Sequence, residues 1–260
     1  MVCVLLLNIA FANANSSINA DCHQSPLIWG WIDWPPFIYQ QADGEFKGID
    51  YQIISKVMAK ISCEVTLSSY PIPWRRQLAW LEVGQIAMMN GASKTPEREK
   101  YAYFSIPYRS ESVSLFIRKA DLETRSISHL SQLLDSNIHS LGYSKGSYYG
   151  EEFAQLLNQA EFAKRLYSDF DINNFHRLSN ARLDAVIADS ISGAALIKQL
   201  ELSDQIIAMP GMKIVTGDIH IMFSKKVVSL ALIEQVNQAI KDYKTSAEYQ
   251  QLMQTLTRSP

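Results

Sequence analysis

Residues 91–98 read Gly-Ala-Ser-Lys-Thr-Pro-Glu-Arg, and residues 183–189 read Leu-Asp-Ala-Val-Ile-Ala-Asp. The first is a polar turn that delivers a guanidinium. The second is an apolar strand that ends on a carboxylate. The short apolar run 86–89 leads into the Gly91 turn, so each charge stands just past a strand. Arg98 and Asp189 thus supply one fixed cation and one fixed anion, the complement of a small zwitterion such as an amino acid. The fold matters because it decides whether these two charges face each other.

Working outward from residue 91, strands and helices alternate. Residues 27–32 form a short apolar run stopped by Asp33-Trp34-Pro35-Pro36, a strand followed by a loop. Asp43-Gly44 is a turn signal. Ile49, Ile53, Ile54, Val57 and Ile61 recur at helical spacing over 48–61. A strand over 63–69 and a helix over 74–83, closed by Gly84, lead to the strand at 86–89. This alternation predicts a parallel α/β sheet, whose ligands sit beyond the carboxyl ends of the strands. The loops 33–37, 70–74 and 90–98 then share one rim.

Residues 113–118 form a strand that leaves this unit, and a second unit follows. Its strands fall at 138–141, 163–166 and 185–188, its helices at 149–158, 171–180 and 191–200. A strand at 219–223 and two helical stretches over 230–256 complete the chain. Two α/β units joined by more than one crossing of the chain predict two Rossmann-like lobes, an interlobe cleft and hinge closure around a ligand.

Composition narrows the function classes. The chain has 260 residues, 47% of them hydrophobic, enough for two cores. A net charge of -2 with scattered Lys and Arg gives no footprint for nucleic acid or an acidic membrane surface. The apolar run from Val2 to Ala12 is shorter than the about 20 residues that span a bilayer. It precedes Ala10-Phe11-Ala12 and Ala12-Asn13-Ala14, both of the small-x-small cleavage type, though no Lys or Arg comes before it. Residues 1–14 therefore read as a signal peptide, and the mature chain as exported and soluble. Cleavage removes Cys3 and leaves Cys22 and Cys63, a pair suited to a disulfide in an oxidising compartment.

Four elements taken together resemble a known family. They are Asp33-Trp34-Pro35-Pro36-Phe37, Asp43-Gly44 with Gly48-Ile49-Asp50, the Gly91 to Arg98 turn, and Tyr103-Phe104-Ser105-Ile106-Pro107-Tyr108. The pattern is similar to the bacterial extracellular solute-binding proteins of family 3, the polar amino-acid receptors of ABC importers. The resemblance runs from about residue 27 to the C-terminus. It implies a type II periplasmic binding protein fold. Lobe 1 would comprise 24–112 and 219–260 and lobe 2 would comprise 113–218, with hinges at about 109–114 and 212–219.

The resemblance also implies roles. Arg98 would hold a ligand α-carboxylate, shared with backbone groups at Gly91 and Ser93 and with the Ser93 hydroxyl. Asp189 would hold the α-ammonium. Trp34 and Trp74 would flank the ligand side chain, and Ser147 would contribute from the second lobe. The partners implied are an amino acid or similar small molecule and a permease in the inner membrane, with the receptor monomeric, periplasmic and without cofactor. Trp31 stands where receptors for basic amino acids often carry Asp, which argues against lysine or arginine. Arg75-Arg76 is atypical and hints at an acidic ligand side chain.

Each candidate has a plainer reading beside it. Arg98 could pair on the surface with Glu97 or Glu99, Asp189 could serve only as a helix N-cap, and the tryptophans could be core. Other motifs lead nowhere. Ser144-Lys145-Gly146-Ser147 lacks phosphate-loop spacing, and the 169–180 segment lacks the Gly and closing acid of a calcium loop. The five histidines have no metal-ligand spacing, and no Gly-x-Ser-x-Gly is present. The chain is read as a binding protein rather than an enzyme. The alternatives on the same scaffold are a cyclohexadienyl dehydratase-like elimination catalyst and a sensory ligand-binding module.

Overall fold

The computed structural model describes Cys22 and residues 26–258, so the signal segment assigned to 1–14 lies outside the described residues. The first strand, β1 (Leu27–Gly30), is buried except at Ile28, and the Pro-rich loop follows it. The Asp43-Gly44 turn joins a small hairpin, β2 (Tyr39–Gln40) and β3 (Phe46–Lys47). Helix α1 (Ile49–Lys60) buries Ile53, Ile54, Val57 and Met58 along one face, and also Asp50 in its first turn. Strand β4 (Val65–Leu67) and helix α2 (Trp74–Val83) follow. Gly84 closes α2 with a left-handed φ of 82°, the conformation that a residue without Cβ adopts at least cost.

Strand β5 (Met88–Ser93) carries the Gly91 turn, and the short helix α3 (Pro96–Glu99) carries Arg98. Thr95 caps α3, accepting from the Arg98 amide at 3.4 Å, and Pro96 takes the first helical position. Next come β6 (Ala102–Phe104) and the long β7 (Arg109–Arg118). The second unit contains β8 (Leu141–Tyr143), α4 (Glu151–Leu157), α5 (Ala160–Ala163) and β9 (Leu166–Ser168). It continues with α6 (Asp171–Ser179), β10 (Ala185–Asp189) and α7 (Ser190–Gln199). The 19-residue β11 (Ile206–Ser224), α8 (Leu230–Lys244) and α9 (Ala247–Arg258) end the chain.

Among the described residues, nine strands join one curled sheet in the order β4-β1-β5-β11-β7-β10-β8-β9, with β6 also on β11. The outer pairs β1/β4, β1/β5, β8/β10 and β8/β9 are parallel. The central pairs β5/β11, β7/β11 and β7/β10 are antiparallel. The sequence reading places a strand only at 219–223. The strand runs back to Ile206, because Pro210-Gly211 and Gly217 hide it as turn signals. They mark instead two breaks in register against β7, between Ala208 and Lys213 and between Val215 and Gly217.

Each half of this sheet is covered on both faces. In the first half, α1 and α8 pack Ile53, Ile54, Leu232 and Val236 against Trp29 and Phe223. The opposite face packs Ile72, Leu81, Met89 and Met222. In the second half, Leu115 and Ile117 join Phe153 and Phe162 on one side, while Phe116 joins Phe175 and Leu178 on the other. The two-residue period of β7 places its neighbours in opposite cores. Cys22 and Cys63 form a disulfide, with Cα atoms 4.9 Å apart, that ties the chain before β1 to the end of α1.

Candidate ligand site

Between the two halves lies a cavity of about 310 Å³. Every residue singled out for the ligand lines it. Trp34, Trp74, Gly91, Ser93 and Arg98 come from the first half, Ser147 and Asp189 from the second. The loops expected along one rim supply most of the first wall.

Arg98 is 6% exposed and forms no ion pair among the described residues. Its neighbour Glu99 pairs instead with Lys94 at 2.8 Å, so the surface-pair reading of Arg98 does not hold. Nη1 donates to the Ser93 carbonyl at 2.6 Å and Nη2 to the Gly146 carbonyl at 2.8 Å. The guanidinium carbon lies 5.7 Å from the centre of the Trp74 ring. Burial lowers the Arg98 pKa, with Tyr101 and Glu111 among the groups that oppose the shift.

Asp189 ends β10 and is 8% exposed. Its Oδ1 accepts from the amides of Ile191 at 3.0 Å and Ser192 at 2.6 Å, so it caps α7. Among the described residues its Oδ2 accepts no hydrogen bond. Capping thus occupies Oδ1 and leaves Oδ2 available. Burial pushes this carboxyl up to about 6, while Arg109 and the two amides pull it down.

Gly91 fits its place for two reasons. Its φ is +71°, and a Cβ there would stand 2.6 Å from Cζ3 of Trp34. The Gly91 amide is already committed, donating to the Tyr108 hydroxyl at 3.0 Å. The Ser93 carbonyl is likewise taken, by Arg98, while Ser93 and Arg98 both line the cavity.

A buried network holds this wall from behind. Asp50, fully buried, accepts from Arg109 Nε at 2.7 Å, Tyr108 Oη at 2.6 Å and Asn90 Nδ2 at 3.0 Å. Asn90 in turn accepts from Trp29 Nε1 at 3.1 Å. The Arg109 guanidinium lies 3.9 Å from the centre of Phe37 and 5.4 Å from that of Trp34. Burial alone would depress Arg109, yet Asp50, Tyr108 and Glu111 together raise its pKa.

Two cavity carboxylates escape the sequence reading. Glu111 lies within β7, where strand periodicity gives no sign of a special role, and Asp171 opens α6. Burial pushes Glu111 up to about 7; Asp189 adds to this, and Arg109 and the Thr216 hydroxyl oppose it. Burial pushes Asp171 up to about 6, against the Ser144 hydroxyl that donates to it at 3.0 Å. Arg75 and Arg76 are exposed and do not line the cavity, so their hint of an acidic ligand finds no support. Trp31 is buried, with Nε1 donating to the Ser68 carbonyl at 2.8 Å, and does not line the cavity, so its argument against a lysine or arginine ligand finds no support.

Among the described residues no group of His, Cys, Asp and Glu is arranged to hold a metal ion, and no helix is long and apolar enough to cross a membrane. Residues 28–257 match the family model for bacterial extracellular solute-binding proteins, family 3. The L-cystine-binding protein TcyJ of Escherichia coli is 25% identical over 167 residues, which cover 64% of this chain and 59% of that protein. The match thus spans under two thirds of that relative. An arginine-binding periplasmic protein of Mannheimia haemolytica is 24% identical over 220 residues, covering 84% of this chain and 85% of its own. The solved arginine-, lysine-, histidine-binding protein ArtJ of Geobacillus stearothermophilus shares the fold, with a TM-score of 0.72 at 20% identity over 91% of this chain and 97% of that one.

Proposed function

Because this chain belongs to the bacterial extracellular solute-binding proteins of family 3, we propose that it captures a small zwitterion, an amino acid, in its interlobe cavity and delivers it to an ABC importer. The fold is the two-lobed type II periplasmic binding arrangement. In this reading lobe 1 comprises 24–112 and 219–260, lobe 2 comprises 113–218, and hinges at about 109–114 and 212–219 lie on β7 and β11.

One observation carries the reading. Among the described residues, a buried guanidinium without a carboxylate partner and a buried carboxylate with an unused oxygen line the same cavity. Leaving such charges unpaired is costly, so the site suits a ligand that brings both opposite charges at once. Arg98 offers a planar fork that stays protonated, which matches an α-carboxylate. Asp189 takes the α-ammonium, with Ser93 and Ser147 completing the polar contacts and Trp34 and Trp74 flanking the rest. Each charge-assisted bond contributes roughly 1.5–3 kcal/mol net. Micromolar binding needs about 8 kcal/mol, within reach of this set. Cys22–Cys63 fits an oxidising compartment, which supports a periplasmic location.

Calorimetry with amino acids, their α-hydroxy acids and their amines tests the reading. Amino acids bind; analogues lacking either charge lose most affinity. Equal binding of the hydroxy acid and the amino acid counts against it. Glu111 is a protonatable acid in the cavity, the feature an elimination catalyst would require. Incubation with prephenate and arogenate distinguishes that rival, and the binding reading expects no turnover.

A further inference from the structure

The wall of the cavity is charge-asymmetric. Among the described residues its lining carries one cation, Arg98, and four carboxylates, Asp33, Glu111, Asp171 and Asp189, of which Asp33 is exposed. A neutral amino acid would satisfy Arg98 and Asp189 and leave Glu111 and Asp171 without a cationic partner. We infer that the ligand carries a second cation, an amine or guanidinium at the end of its side chain, held by Glu111 and Asp171. This inference rests on the amino-acid reading above and specifies the class of side chain.

Glu111 is the stronger of the two observations. Its side chain is 8% exposed. Oε2 accepts from the Thr216 hydroxyl at 3.0 Å, which joins β7 to β11. The cation nearest to Oε1 is Arg109 Nη1 at 4.0 Å, beyond hydrogen-bond reach. Arg109 is itself committed to Asp50 through Nε at 2.7 Å and Nη2 at 3.2 Å. Glu111 Oε1 is therefore a nearly buried acceptor without a donor among the described residues, in the wall of a cavity. Asp171 likewise uses Oδ1 for Ser144 and lines the cavity with no ion pair among the described residues. A ligand ammonium would give both acids the donor they lack. The faces of Trp34, Trp74 and Tyr148, which also line the space, suit the aliphatic stem or planar guanidinium of such a side chain.

The same inventory disfavours a ligand with a second carboxylate. Such a group would meet Glu111 and Asp171, and the wall has no second cation to receive it. A dibasic amino acid fits better than cystine, whose second ammonium comes with a second carboxylate for which the described lining holds no cation.

Isothermal titration of the whole protein with L-lysine, L-ornithine, L-arginine, L-glutamine, L-cystine and the diamine cadaverine decides the matter. The dibasic amino acids bind at least about tenfold tighter than glutamine or cystine. Glu111→Gln and Asp171→Asn each lower dibasic affinity by about tenfold or more and leave glutamine within about threefold. Glutamine or cystine binding as tightly as lysine overturns the inference, as does an unchanged lysine-to-glutamine ratio in both variants. Binding of cadaverine with no amino acid bound sinks the zwitterion reading while leaving the second cation site standing. Thermal melts confirm that each variant folds; where one does not, an unchanged ratio in the other overturns the proposal.

Discussion

Arg98 donates to the carbonyl of Gly146 at 2.8 Å, and the same oxygen accepts from Trp74 Nε1 at 3.0 Å. The proposed carboxylate anchor of the first lobe thus touches the backbone of the second. One side chain would both grip the ligand and hold the lobes together. Arg98→Ala should cost about 2–5 kcal/mol of binding, roughly 30-fold to several thousand-fold in Kd. Arg98→Lys, which keeps the charge but loses the fork, should recover only part of this. Calorimetry with the best-binding amino acid reads both. A Kd within about twofold of wild type for Arg98→Ala would remove the residue from the site.

Gly91→Ala tests the wall itself. A methyl group 2.6 Å from Cζ3 of Trp34, on a backbone with φ of +71°, must displace either the ring or the turn. Overpacking and strain together should cost about 1–3 kcal/mol of stability, and ligand affinity should fall as Trp34 moves. Denaturant melts and the tryptophan emission spectrum report the two effects separately. A variant that melts and binds like wild type would show that the turn has room to spare.

Much of this was readable from the residues, and the failures have physical causes. Helix α2 begins at Trp74 and ends before Gly84 as the sequence indicates, because its apolar period and its left-handed stop agree. β11 escaped because Pro210-Gly211 and Gly217 look like turns and act as bulges within one long strand. The short β6 and the Tyr39 hairpin are too brief to show a period. Arg98 was legible because a polar turn carries it away from an apolar strand, and Asp189 because it closes one. Glu111 and Asp171 were not, because a lone acid in a strand or a helix's first turn usually faces water. The first half of β7 contributes Glu111 and Val113 to the cavity lining. Asp50 reads as an ordinary acid in a helix's first turn; its ion pair with Arg109 spans 59 positions of sequence.

That ion pair gives a stability prediction. Asp50 and Arg109 have side chains 0% and 2% exposed. Removing one partner leaves the other buried and uncompensated, so Asp50→Ala should destabilise by about 3–5 kcal/mol. Tyr108 and Asn90 lose their acceptor as well, and Tyr108 holds the Gly91 amide. The variant should therefore bind ligand more weakly even where it remains folded. Urea unfolding measures the first effect and titration at low temperature the second. A loss under about 1 kcal/mol would mean that Arg109 finds another partner.

Reducing Cys22–Cys63 should also matter. The bridge closes a segment with a sequence separation of 41. Chain entropy then predicts a loss of about 4 kcal/mol on reduction. The Cys63→Ala variant should melt lower than wild type, and reductant should shift wild type but not the variant. Ligand affinity should change little, because neither cysteine lines the cavity. Equal melting with and without reductant would show that the bridge contributes nothing.

The cavity acids give a pH dependence whose sign can be worked out. Glu111 is raised to about 7, Asp189 to about 6 and Asp171 to about 6, above unfolded values near 4. A carboxyl raised on folding stabilises the fold most below its unfolded pKa and loses that contribution as pH rises through its folded pKa. The groups facing Glu111 do not reverse the sign. Asp189 and Asp50 add repulsion, while Arg109 stays charged and the Thr216 hydroxyl only moderates the shift. The ligand-free protein should therefore lose thermal stability between about pH 5 and pH 8. Binding runs the other way: a cationic ligand favours the ionised acids, so affinity should rise over the same window and protons should be released. Melting curves across the window read the first trend. Titrations in two buffers of different ionisation heat count the protons in the second. Glu111→Gln should flatten both curves. A ligand-free melting temperature that climbs from pH 5 to pH 8, or binding without proton release, would show that these acids are already ionised in the empty cavity.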